Sequence, residues 1–119
     1  VSDQQFNPPV SEPLVPRPPV TVEALREAVD RLDPEQTAKF DKEFSEVEAA
    51  AGGFGNPLRS FLRSWSFWVE LYRVPATAAR IHELELELAE ARSGEESRMA
   101  ATRMSVLLDE VSAALPWPP

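Results

Sequence analysis

The chain has no cysteine, and this excludes a disulfide framework, a thiol nucleophile and a thiolate-bound metal. It has a single histidine, His82, which cannot supply the paired Glu-x-x-His ligands of a di-metal helical site. Glycine is scarce at 4 residues, and the one local cluster, AGGFGNP, lacks the lysine and the spacing of a phosphate-binding loop. No apolar run approaches about 18 residues, and the first residues lack the basic start and apolar stretch of a secretory signal. Basic residues are outnumbered, 12 Lys and Arg against 20 Asp and Glu, for a net charge of −8. A surface of that sign repels phosphate backbones and suits solubility or a basic protein partner. The expectation is a cytoplasmic protein that does not bind membrane and whose charge disfavours nucleic acid.

Proline, by contrast, is abundant at 12 of 119 residues, and it gathers at the two ends. Residues 1–19 carry six prolines without helical periodicity and read as an extended arm of polyproline II character. Composition favours a mobile tail, while the spaced Phe6, Val10, Leu14 and Val15 allow docking in a groove of this chain or of a partner. Residues 20–116 form the helical domain, and 117–119 a short tail offering Trp117 to the core or to a partner.

Within the domain, five amphipathic segments are punctuated by caps. Thr21 opens a helix to about Leu32 with Val22, Leu25, Val29 and Leu32 on one face. Asp33-Pro34-Glu35-Gln36 reads as a capping box with proline at the first helical position, opening a helix that buries Phe40, Phe44, Val47 and Ala51 and stops at Gly52-Gly53. Asn56-Pro57 repeats the device and opens the aromatic segment that ends near Val74, before Pro75. Ala76–Arg92 and a segment after Ser93 running to about Leu115 are predicted as a helical hairpin turning at Ser93-Gly94, with one long helix as the alternative. The alternating ELELEL at 83–88 is read as helix, because Leu and Glu are strong helix formers and no β-branched residue supports a strand. The predicted fold is all-α, a small bundle of about five helices with an extended proline-rich arm.

Everything packs around the aromatic segment, in which Leu58, Phe61, Leu62, Trp65, Trp68, Leu71 and Tyr72 make one apolar stripe. Phe67 lies away from that stripe, so Phe67 and Trp68 are candidate partner anchors, and Trp117 joins them from the tail. Arg59 and Arg63, four apart on one face, form a basic edge expected to meet Asp41, Glu43 or the Glu-rich segment, or to contact a partner. Glu83, Glu85, Glu87 and Glu90 read as a solvated helix face, and His82 as a surface residue. No catalytic residue, metal ligand or cofactor is predicted.

The order of LREAV, LDPEQTAKFDKEFSEVEAAA and PLRSFLRSW, over Leu25 to Trp65, resembles a family of small uncharacterised helical proteins of high-GC bacteria, often encoded near toxin genes. Phe40, Asp41, Glu43 and Trp65 are the matched positions, and the Gly-Gly before the aromatic segment departs from the pattern. The resemblance implies an antitoxin-like role. The expected function is therefore a non-enzymatic interaction module that covers a basic partner protein such as a toxin. A homodimer through the C-terminal helices, or a DNA-binding regulator using the first two helices, are the alternatives.

Overall fold

A computed structural model of the chain describes residues 12–50 and 55–115, in the order α1 (Val22–Leu32), α2 (Glu35–Ala49), α3 (Pro57–Arg73), α4 (Pro75–Glu90) and α5 (Gly94–Ala113). There is no strand among the described residues, so the chain is an all-α helical bundle. The stop at Gly52-Gly53 and the residues Phe6, Val10, Ala51, Phe54 and Trp117 lie outside the described residues.

The caps form where short-range chemistry places them. Thr21 Oγ1, Asn56 Oδ1 and Ser93 Oγ accept the N–H groups of Ala24, Arg59 and Glu96 at 3.2, 3.0 and 3.1 Å. Asp33 also caps, but its Oδ1 accepts from Glu35 N–H at 3.2 Å rather than from Gln36. Pro34 already has helical dihedrals, φ −56° and ψ −25°. Between α3 and α4 a single residue, Val74 at φ −108° and ψ 113°, is extended, as expected for the residue before Pro75. The hairpin turns at 91–93, and Leu84 and Ala100, equally far from Arg92, are both buried.

Helix α3 belongs to two cores. Its Phe61, Trp65 and Val69 join Leu25, Ala28 and Val29 of α1, Phe40 of α2 and Val15 of the arm. Its Leu71 instead joins Ile81 of α4 and Val111 of α5, with Phe67 and Tyr72 packed against them. From the first core the rings form a continuous chain, Phe44–Phe61–Phe40–Trp65–Trp68–Tyr72, that ends at the second, with centroids 4.9 to 5.6 Å apart. The Trp65 indole N–H, which burial would otherwise leave unsatisfied, donates to Glu43 Oε1 at 3.0 Å.

Three expectations are corrected here. Leu58, placed in the core stripe, is 42% exposed on the first turn of α3. Val69, absent from that stripe, is 1% exposed and central. The arm is no tail over residues 12–19, since Val15 is 4% exposed within the first core.

Candidate functional site

On α3, Ser60, Ser64, Phe67 and Leu71 fall at offsets 0, 4, 7 and 11, a second stripe at the helical period. Its large half, Phe67 and Leu71, is where α4 and α5 arrive. Its small half is left as a trough floored by the two serines. One depression of about 350 Å³ is lined by Ser60, Arg63, Ser64, Phe67, Ser112 and Leu115, on the α5 side. Another of about 440 Å³ shares Ser60 and Ser64 and continues to Glu43, Glu46, Val47, Pro57 and Phe61, on the α2 side. The trough thus runs across α3 from acidic α2 to the end of α5.

The candidate anchors distribute unevenly around this surface. Arg63 and Phe67 line the trough. Phe67 does not project freely, however; it is half-buried against the second core, which the single-stripe reading of α3 overlooked. Trp68 belongs to the first core, half-buried between Trp65 at 5.6 Å and Tyr72 at 5.0 Å. Arg59 is exposed at the start of α3, where its N–H is held by Asn56. Asp41, one expected partner of these arginines, is gripped by Arg26 through two bonds of 2.8 and 2.9 Å, and that contact holds its pKa below the ordinary value. Glu43 is held by Trp65 and, at 4.0 Å, by Lys39.

A second polar arrangement was not read from the sequence. Glu70, 8% exposed, receives Arg17 at 3.0 and 2.8 Å and Arg73 at 2.7 and 3.1 Å. Burial alone would raise the Glu70 pKa, but the hydrogen bonds from Arg17 and Arg73 outweigh it and hold the value at about 2. The available signal was Arg17 itself, the one basic residue in an arm of prolines, and Arg73 three residues after Glu70.

Elsewhere the acidic residues solvate the surface. Glu83 pairs with Arg80 and Glu87 with Arg103, and His82 is exposed. No group of three or more His, Asp or Glu with metal-binding geometry occurs among the described residues, and no described helix is long and apolar enough to cross a membrane. Compared with protein-family models, curated proteins and solved structures, the chain gives no significant match.

Proposed function

We propose that the protein is a non-enzymatic interaction module that holds a basic, amphipathic helix of a partner protein in the trough across α3. The observation that carries this reading is the serine-floored depression itself: small side chains at 60 and 64 let a second backbone approach, while the half-buried Phe67 offers apolar contact beside them. Glu43 and Glu46 along one wall, and a net charge of −8, favour a basic partner and speed its encounter. Binding of this kind acts by occlusion, since the partner's apolar face is withdrawn from whatever else it would engage. The resemblance over Leu25 to Trp65 adds a basic toxin as a partner of fitting chemistry, whereas the acidity weighs against a DNA-reading role for α1 and α2.

The test is capture from a lysate of the source cell on the immobilised protein, comparing the native chain with Ser64→Trp, which fills the trough. A basic protein retained at low salt by the native chain and lost with Ser64→Trp supports the reading. Retention of the same proteins by both, or of abundant chaperones only, defeats it.

A homodimer through the hairpin is favoured by one observation. Met99, Thr102 and Val106 lie at offsets 0, 3 and 7 on α5, and Met99 and Val106 are 50% and 53% exposed. Sedimentation at several concentrations decides it, a concentration-independent monomer being the excluding result.

A further inference from the structure

Residues 12–20 lie along the C-terminal half of α3 in antiparallel sense. Leu14 N–H donates to the Arg73 carbonyl at 2.7 Å, Arg17 meets Glu70, and Pro18 and Val20 reach the level of Ser66, where they share a small cavity with it. The segment has neither helix nor strand, yet its contacts resemble those a separate peptide ligand would make. Val15 is the apolar anchor, 4% exposed in the first core, and its carbonyl accepts a long bond of 3.5 Å from Arg73. Arg17 is the polar anchor, its planar fork matched to both oxygens of Glu70. Arg73 pre-positions that carboxylate from below, on the same helix.

The ligand is also prepared for this role by its composition. Glu12, Val15, Arg17 and Pro18 each precede a proline, which biases them away from helical dihedrals toward the extended polyproline II region. An extended segment stiffened in this way loses little entropy on docking, which is the logic of proline-rich peptide recognition.

We propose that the Glu70–Arg73 surface of α3 is a recognition site for extended, proline-flanked segments of the form Val-Pro-Arg-Pro, occupied in the resting protein by the chain's own residues 12–20. The arm therefore acts as a built-in competitor, and a segment of the same chemistry supplied from outside enters when the arm lets go. This site shares Leu115 with the edge of the serine-floored trough but none of its other lining residues, and it stands whether or not the trough binds a helix.

The probe is a fluorescently labelled synthetic peptide of residues 12–20, titrated into full-length protein and followed by anisotropy. Arg17→Ala in the chain weakens the resident arm, so the peptide is expected to bind this variant about tenfold or more tighter than the native chain, whose tethered arm competes at high effective concentration. Adding Glu70→Gln to that variant, or replacing Arg17 by Ala in the peptide, is expected to remove binding. Failure of the peptide to saturate a folded Arg17→Ala chain, or binding indifferent to Glu70→Gln, overturns the proposal. If circular dichroism shows the variant to be unfolded, the native chain is used with excess peptide. Displacement of the arm then appears as faster hydrogen exchange at the Leu14 amide, and unchanged exchange overturns the proposal equally.

Discussion

The two cores that share α3 are built from different side chains and fasten their helices differently. The first sets rings of α2 against rings of α3, packs them on the aliphatic face of α1, ties Trp65 to Glu43, and is closed by Val15 from the arm. The second relies on Leu71, Ile81 and Val111 and partly buried neighbours, and it grips α4 and α5 where they meet α3. Toward the turn the hairpin has Leu84 and Ala100 buried, while Leu86, Leu88 and Met99 are exposed. One half is thus a closed core, and the other is a projecting pair of helices held at its base. Interlocked aromatic packing fixes geometry across several elements, whereas narrow aliphatic stripes fix only the contact they make.

Four substitutions test this contrast. Trp65→Ala removes the centre of the aromatic chain and the Glu43 bond, and it should cost about 3–5 kcal/mol of global stability, read by urea unfolding. A cost below about 1 kcal/mol would mean that the rings are not interlocked.

Glu70→Gln should cost about 3 kcal/mol near neutral pH, because two arginines lose their shared carboxylate. The sign with pH follows from a folded pKa of about 2 against an ordinary 4.5. Stabilisation by the carboxylate is complete above about pH 4.5, shrinks as the pH falls and is gone below about 2. Urea midpoints of native and Glu70→Gln protein should therefore converge on acidification, and parallel curves would contradict the assignment.

Phe67→Ala should cost about 2 kcal/mol, less than a fully buried ring, and should loosen one half only. Hydrogen exchange is expected to accelerate in α4 and α5 while α1 and α2 keep their protection; uniform acceleration would show that the two cores unfold together. Val106→Glu, on the outer side of α5, should change stability by less than about 0.5 kcal/mol. A larger loss would reveal that this face is covered in solution, as the dimer reading requires.

How much of this was legible depended on range along the chain. Caps at Thr21, Asn56 and Ser93 were readable because the cap and its N–H partner lie three residues apart. The five helices and the hairpin followed from periodicity and from proline. Periodicity gives the direction in which a side chain points, however, and not whether anything stands there to meet it. Leu58 was therefore placed in the core stripe yet is 42% exposed. Likewise, Phe67 read as an anchor because it lies away from the main stripe, and only the arrival of α4 and α5 makes its side of α3 a contact. The Arg17–Glu70 pair, separated by 53 residues, has no signature in spacing, and the lone arginine of the arm was its one hint. Arg63 and Phe67, both read as candidate anchors, line the same depression, whereas the serines that shape it are too small to attract notice in a sequence.

The seat of Val15 has a consequence for the order of events during synthesis. The arm precedes its docking surface along the chain: Arg17 needs Glu70, and Val15 needs Arg73, 58 residues later. A contact over so long a loop pays its closure entropy before it returns any energy, whereas helix turns are local, so the arm is expected to fasten after α1, α2 and α3 have met. A nascent chain that has emerged only to the end of α2 would carry Val15 and Arg17 exposed and available to other proteins. Pulse-labelled exchange during refolding would show this as late protection of the Leu14 amide, whereas protection simultaneous with α3 would place the arm in the folding nucleus.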